Sequence, residues 1–152
     1  MLIAAMLHKD RSIPGVLIVD LCDQCKEIPI VGMPCLGQSD KLAATKHGNP
    51  DRDPLKPYGN TPTGIYNGTV TVAGANTRSY GPNKRILLTP VSGDALLAKT
   101  RWGLMIHGGD TKPNGDLRVT HGCIRVSNES MEVLIDLAES NAPITVSVIE
   151  LV

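Results

Sequence analysis

The sequence has no phenylalanine, a single tryptophan and only three tyrosines among its 152 residues. Its core must therefore be built from aliphatic side chains, and the β-branched ones among them favour strands. An excess of charge is missing too, because Lys plus Arg and Asp plus Glu are 15 each. This balance disfavours nucleic-acid binding through a basic surface. No apolar run approaches the roughly 18 to 20 residues that cross a bilayer, so we expect no membrane insertion.

An export signal is also missing from the first residues of the sequence. Residues 1–6 are apolar, but no basic residue precedes them, and charged or polar residues follow at once from His8 to Ser12. This order does not fit a signal peptide, and we expect a strand here instead. Without such a signal we expect the protein in the cytoplasm unless a route that needs no signal exports it.

Cysteine is sparse, with four residues among 152, whereas disulfide-rich domains are small and dense in cysteine. A disulfide framework is therefore not implied. The pair Cys22 and Cys25 has the spacing of a zinc or redox motif, followed irregularly by Cys35 and His47. Structural zinc sites usually show a second tight pair, so the zinc hypothesis is weak, and the sequence leaves open whether Cys22, Cys25 and Cys35 are free.

The length suits one domain over residues 1–152, with a mainly β fold of mixed sheets in a sandwich or barrel. Short apolar or alternating runs predict the strands, and Pro29 argues that the third lies at a sheet edge. The predicted strands cover residues 1–7, 14–21, 27–32, 65–72, 86–88, 102–107, 117–119, 124–126 and 144–151.

One convincing helix is predicted at residues 129–140, with a helical turn at 94–99. Ser127 or Asn128 offers an N-cap, and apolar residues recur at spacings of three and four, which predicts a stripe packed on the sheet. The stripe consists of Met131, Leu134, Ile135 and Ala138.

Residues 38–60 are polar and proline-rich and show no sustained period. We expect a long surface loop inserted into the domain. A loop of this length in a compact domain is often functional, and a lid or specificity loop over the site is one hypothesis. A solvated excursion is the other.

The candidate site lies at residues 102–127, where His107 ends a strand and Cys123 follows a glycine-rich return. A hairpin-like return would bring the imidazole and the thiol within about 3 to 4 Å, the reach of a base-activated nucleophile. An unperturbed thiol is only about 3% thiolate at pH 7, and a nearby imidazolium would raise that fraction. Gly122 would let a carbonyl approach the backbone, so the Gly122 and Cys123 amides are candidates for an oxyanion hole.

Taken together, the His107-Gly-Gly stretch, a polar turn and Thr120-His121-Gly122-Cys123-Ile124-Arg125 resemble the active-site signature of the L,D-transpeptidase (YkuD-like) catalytic domain. Residues 58–66, with Thr-Pro-Thr-Gly-Ile-Tyr, resemble a second segment of that family. The resemblance implies that Cys123 is the nucleophile, His107 the general base and the Gly108 carbonyl the group that orients it. Thr120, His121, Gly122 and Arg125 would shape the site, with Arg125 pairing a substrate carboxylate.

The implied reaction is attack on peptidoglycan tetrapeptide stems, followed by cross-linking, D-amino-acid exchange or hydrolysis, with no cofactor. Because peptidoglycan lies in the periplasm and cell wall, the missing signal suggests an antibacterial effector with an immunity protein as partner. Two alternatives stay open: a non-catalytic peptidoglycan-binding module, and a metal protein that uses His107, His121 and Cys123 or the Cys22 and Cys25 pair. Oligomeric state and acceptor are not determined by the sequence.

Overall fold

The computed structural model describes residues 1–21 and 31–152, and it forms one mixed eight-stranded sheet within these ranges. The strand order is β3-β2-β1-β8-β4-β5-β6-β7. Pairing is parallel between β1 and β8 and between β6 and β7, and antiparallel elsewhere. The strands are β1 Leu2–His8, β2 Gly15–Asp20, β3 Val31–Cys35, β4 Gly64–Thr71, β5 Arg85–Ser92, β6 Met105–His107, β7 Ile124–Arg125 and β8 Ile144–Leu151.

The two ends of the sheet order meet and nearly close it into a barrel. Leu36, directly after β3, exchanges both backbone hydrogen bonds with Arg125 of β7 at 2.9 Å. Further along, the Thr120 N–H donates to the Gln38 carbonyl and the Asp40 N–H donates to the Thr120 carbonyl. This seam ties the start of the 38–60 segment to the stretch that leads into Cys123.

Four helices lie in the described residues: α1 Lys41–Lys46, α2 Thr77–Tyr80, α3 Asp94–Leu97 and α4 Asn128–Ser140. Helix α4 begins after Ser127, whose hydroxyl accepts from the Ser130 N–H at 3.0 Å. Its buried residues are the predicted stripe of Met131, Leu134, Ile135 and Ala138. None of the helices in the described ranges is long and apolar enough to cross a bilayer.

The core is formed by side chains of the sheet and of α4 and is almost entirely aliphatic, as the composition requires. The exception is Tyr66 of β4, which is fully buried, and its hydroxyl donates to the Pro62 carbonyl at 2.7 Å. Other fully buried members are Ile3, Leu17, Ile86, Ile106, Ile124, Met131 and Leu134.

The predicted fold class is confirmed, and several predicted boundaries are corrected. The strand expected over 102–107 covers only Met105–His107, and residues 117–119 form no strand. The third strand is indeed at the sheet edge but runs from Val31 to Cys35; Pro29 and the rest of its predicted start lie outside the described residues. Helix α1 interrupts the expected 38–60 loop, because Asp40 caps it by accepting from the Ala43 N–H.

Candidate active site

The parallel pair β6 and β7 brings the two predicted reactive residues into one cavity. His107 is the last residue of β6, Cys123 directly precedes β7, and the register pairs Ile106 with Ile124. Both side chains line a cavity of about 290 Å³. His107 and Cys123 are therefore brought together by two adjacent parallel strands. The sequence suggested a hairpin-like return instead.

The His107 ring is held in one orientation and one tautomer. Its side chain is 2% exposed, and its Nδ1 lies 2.6 Å from the Gly108 carbonyl oxygen. Because a carbonyl only accepts, Nδ1 carries the proton, and Nε2 of the neutral ring keeps its lone pair. The same carbonyl accepts from Arg125 Nη1 at 3.1 Å, and the Tyr80 ring packs against the imidazole at 4.7 Å.

Burial keeps both reactive groups neutral. It lowers the pKa of His107 to about 4, and the hydrogen bond to Gly108 only partly opposes this effect. Burial also raises the pKa of the Cys123 thiol, against the backbone of Met105 and the positive charge of Arg101. These shifts favour a neutral thiol and a neutral imidazole, whereas the sequence suggested a thiolate stabilised by an imidazolium.

The direct bond expected between thiol and imidazole is not formed. Within the described residues, His107 is hydrogen-bonded through Nδ1 to Gly108, and no hydrogen bond joins its ring to Cys123. Catalytic hydrogen bonds are often loose in free enzymes and tighten when substrate binds. The imidazole and the thiol therefore line one cavity without a hydrogen bond between them.

Thr120 shapes the turn that leads into Cys123. Its hydroxyl accepts from the Gly122 N–H at 2.9 Å and donates to the Cys123 carbonyl at 2.8 Å. The Gly122 carbonyl in turn accepts from the Thr61 hydroxyl at 2.7 Å. Both backbone polar groups of Gly122 are therefore engaged by protein.

Gly122 is required for a reason that the sequence did not show. Its φ is +114°, and a Cβ there would lie 2.0 Å from Arg101 Nη2 and 2.6 Å from the Gly59 carbonyl oxygen. The glycine therefore makes room for a buried guanidinium in addition to any substrate.

Arg125 is anchored in the protein by its guanidinium. It is 5% exposed, and beside the Gly108 carbonyl it donates from Nη2 to the Ser79 carbonyl of α2 at 2.9 Å. Its Nε is buried without a hydrogen-bond partner among the described residues, and the side chain lines the cavity. Pairing with a substrate carboxylate stays a prediction; the structure itself places Arg125 as a support for the carbonyl that orients His107.

His121 is exposed and lines the same cavity as His107. Its ring packs at 5.1 Å against Tyr58, which stacks on His47 at 3.8 Å with nearly parallel planes. Tyr58 and His121 line a second cavity of about 250 Å³, which also contains Trp102 and Cys123.

Residues 38–60 therefore form walls of the site. Asp40 lines the first cavity and Tyr58 the second. Buried Asn49 braces the segment, because its side chain donates to the carbonyls of Asp53 and Pro57 and accepts from the Asp53 N–H. A solvated excursion does not describe this geometry.

Sequence reasoning missed three contributors to the site: Tyr80, Asn128 and Arg101. Tyr80 lies on α2, a four-residue helix too short for a periodic pattern. The Asn128 side chain accepts from the Gly109 N–H at 2.8 Å. Arg101 left no sequence signal, because nothing in a lone arginine shows that it will be buried.

No group of three His, Cys, Asp or Glu side chains among the described residues is arranged to hold a metal ion. Cys22 and Cys25, the basis of the zinc hypothesis, lie outside those residues. Cys35 is a free, buried thiol of β3, and burial raises its pKa to about 12.

Comparisons with known proteins identify the family of this chain. The family model of the YkuD L,D-transpeptidase catalytic domain matches residues 38–146. No curated protein sequence matches the chain.

Among solved structures, Bd1075 of Bdellovibrio bacteriovorus is similar with a TM-score of 0.59 at 18% identity, over 96% of this chain and 46% of that one. The helical cell shape determining protein Pgp2 of Campylobacter jejuni gives a TM-score of 0.55 at 20% identity, over 97% and 47%. These two likenesses show the fold, and this chain spans less than half the length of either protein.

Proposed function

This chain belongs to the family of YkuD L,D-transpeptidase catalytic domains, and from that premise we propose that it is a cysteine acyl-transferase acting on peptidoglycan tetrapeptide stems. The observation that carries the proposal is the contact of His107 Nδ1 with the Gly108 carbonyl oxygen, from which the tautomer of the ring is inferred. Its Nδ1–H is fixed on the Gly108 carbonyl, so that Nε2 is available as a base in the cavity that holds Cys123. A structural histidine buried for packing alone would not need a free basic nitrogen beside a thiol.

In the proposed reaction, Cys123 Sγ attacks the carbonyl of the L,D peptide bond while its proton passes to His107 Nε2. Because both groups start neutral, proton transfer accompanies the attack. The Gly122 N–H is already bonded to Thr120, so we assign stabilisation of the oxyanion first to the Cys123 N–H. The imidazolium then gives its proton to the leaving D-Ala amine, and a thioester remains on Cys123.

The second half of the proposed reaction releases that acyl group. An incoming amine, or water, gives a proton to His107 Nε2 and attacks the thioester, and the thiol of Cys123 is restored. Two cavities share Tyr80, His121 and Cys123, which suits a donor stem in one and an acceptor in the other. An amine acceptor gives a cross-link or an exchanged D-amino acid, and water gives L,D-carboxypeptidase action.

The test is incubation with tetrapeptide muropeptides, with and without glycine or a D-amino acid, followed by mass spectrometry of products and of the Cys123 peptide. We expect turnover and a Cys123 adduct in the wild type and loss of both in Cys123→Ala. His107→Ala should lose turnover. Cys35→Ala, which removes a buried thiol outside the site, is the matched control and should retain turnover.

Two results would contradict the proposal. Turnover that survives in Cys123→Ala would remove the thiol from the mechanism. Muropeptide binding that is equal in wild type and Cys123→Ala, without turnover in either, would favour the binding-module alternative.

Delivery is a separate part of the proposal. If the protein is an antibacterial effector that acts in the periplasm, directing it there should impair growth, and Cys123→Ala should not. A cognate immunity protein should restore growth. Equal growth with both forms would end the effector hypothesis without touching the enzymatic one.

A further inference from the structure

Arg101 is a buried cation that holds a turn of the 38–60 segment. The side chain is 5% exposed, and its guanidinium donates to four backbone carbonyls. The acceptors are Pro54 at 2.8 Å, Lys56 at 3.0 Å and Asn60 at 3.2 Å from Nη1, and Gly59 at 2.9 Å from Nη2. No carboxylate of the described residues forms an ion pair with it, so these carbonyls are its compensation for burial.

The other side of the same guanidinium contacts residues 120–123, the turn that ends at Cys123, which we call the nucleophile turn. Nη2 occupies the space beside Gly122 where a Cβ would lie at 2.0 Å, and the Gly59 carbonyl oxygen lies there as well. Arg101 is thus wedged between the 54–60 turn and the residue that precedes Cys123. Few side chains could replace it, because its two terminal nitrogens reach four acceptors at once, which the single nitrogen of an ammonium cannot do in the same geometry.

The clamped turn carries Tyr58 into the second cavity. Tyr58 adopts a φ of +59°, an unusual conformation for a tyrosine, and its ring lies between His47 and His121. Such a conformation persists when neighbours determine it, and the four bonds of Arg101 flank it on both sides in sequence. Ser39 also donates from its hydroxyl to the Tyr58 carbonyl, and Asn49 donates to the Pro57 carbonyl, so Arg101 holds Tyr58 at this cavity together with them.

We propose that Arg101 is a positioning residue of the active site, which fixes the Tyr58 wall of the second cavity against the nucleophile turn and favours negative charge on Cys123 Sγ during attack. The inference rests on the proposed function of Cys123 as the nucleophile.

The charges around Cys123 support the electrostatic part. Arg101, Arg125 and Arg85 all lower the pKa of this thiol, while burial, the largest effect, raises it. His107 faces the same cavity as a neutral ring and adds no charge near pH 7. Arg125 donates to the Gly108 carbonyl and not to the 54–60 turn. Arg101 therefore both contributes positive charge near Cys123 and binds the carbonyls of residues 54–60.

The experiment compares Arg101→Met, which removes charge and clamp, with Arg101→Lys, which keeps the charge but cannot reach four carbonyls. Arg11→Met is the matched control, since Arg11 is an equally buried arginine that binds the His8 carbonyl and Glu150 away from the site. Three quantities are measured: the pH profile of Cys123 alkylation by iodoacetamide, followed on its peptide by mass spectrometry; hydrogen exchange of residues 54–60; and the KM for a D-amino-acid acceptor.

In Arg101→Met we expect the alkylation midpoint to rise by about one pH unit, which is about tenfold less thiolate at a given pH below it. In Arg101→Lys the midpoint should stay near that of the wild type. In both Arg101 variants, hydrogen exchange of residues 54–60 should become roughly tenfold faster or more, and the KM for the D-amino-acid acceptor should rise. Arg11→Met should change none of the three quantities.

The inference is overturned if Arg101→Met retains the wild-type alkylation midpoint, or if exchange over 54–60 in the Arg101 variants equals that in Arg11→Met. If Arg101→Met does not fold, Arg101→Lys decides through exchange and KM alone, and wild-type values for both would refute the clamp. Alkylation and exchange need no muropeptide substrate. A wild type without turnover would therefore count against the proposed function, while the effect of Arg101 on the thiol would still be measured.

Discussion

Replacing Gly122 with alanine tests whether the nucleophile turn and the Arg101 guanidinium truly share the space beside this residue. The new methyl carbon would lie 2.0 Å from Arg101 Nη2 and 2.6 Å from the Gly59 carbonyl oxygen, at a φ of +114°. Neither approach is tolerable. The guanidinium has to move, and its bond to Gly59, 2.9 Å long, is lost in consequence.

The magnitude follows from two contributions. Placing an L-residue at a positive φ of this kind costs roughly 1 to 3 kcal/mol. A lost hydrogen bond from a buried charged donor costs roughly 1.5 to 3 kcal/mol more. We therefore expect Gly122→Ala to lower the free energy of unfolding by about 2.5 to 6 kcal/mol, a large share of the roughly 5 to 15 kcal/mol of a typical domain.

The control is Gly115→Ala, because Gly115 has a φ of +89° but nothing within 4 Å of its Cβ position. It should show only the backbone strain, about 1 to 2 kcal/mol. Urea unfolding of both variants, with unchanged m-values, measures the difference. If Gly122→Ala costs no more than Gly115→Ala, the guanidinium does not fill that space and the reasoning is wrong.

Three further predictions concern protonation and the core. Because burial lowers the pKa of His107 from 6.5 to about 4, the stabilisation from its neutral form is complete above pH 6.5 and is lost as the pH falls to about 4. Urea unfolding should show a decline of about 3 kcal/mol across this window, and it should be much smaller in His107→Gln. Alkylation of Cys123 should keep rising above pH 8, because burial raises the thiol pKa; a plateau below pH 7 would indicate a thiolate–imidazolium pair instead. Tyr66→Phe should cost about 1 to 3 kcal/mol in thermal or urea unfolding, since the Pro62 carbonyl loses a buried donor, and an unchanged stability would show that this bond contributes nothing.

The elements that the sequence predicted well are those whose signals are local. Helix α4 carries its cap and its stripe within 14 residues, so the sequence narrowed the N-cap to Ser127 or Asn128 and predicted the buried face, and the structure assigns the cap to Ser127. Strand β8 alternates along its length for the same reason. Strand β7 spans two residues, too few for any periodic signal, and the short helix α2 was missed altogether.

The 38–60 segment shows why a composition-based prediction falls short. Its prolines and polar residues predict a loop, and much of it is one. What composition omits is the docking, because the polar groups find partners that lie far away in sequence, such as Arg101 and Thr120. Satisfied backbone groups make a wall of the site from a stretch that looks solvated.

The sequence by itself determined the chemistry on offer: a thiol, an imidazole and a glycine-rich turn whose order resembles one family, to which the chain does belong. Only the tertiary structure decided how that chemistry is prepared. The tautomer of His107, the neutral state of the thiol and the clamp of Arg101 depend on burial and on carbonyls supplied by distant segments. Residue identities fix which groups can react, whereas desolvation and hydrogen-bond geometry arise only when the closed sheet brings those groups together.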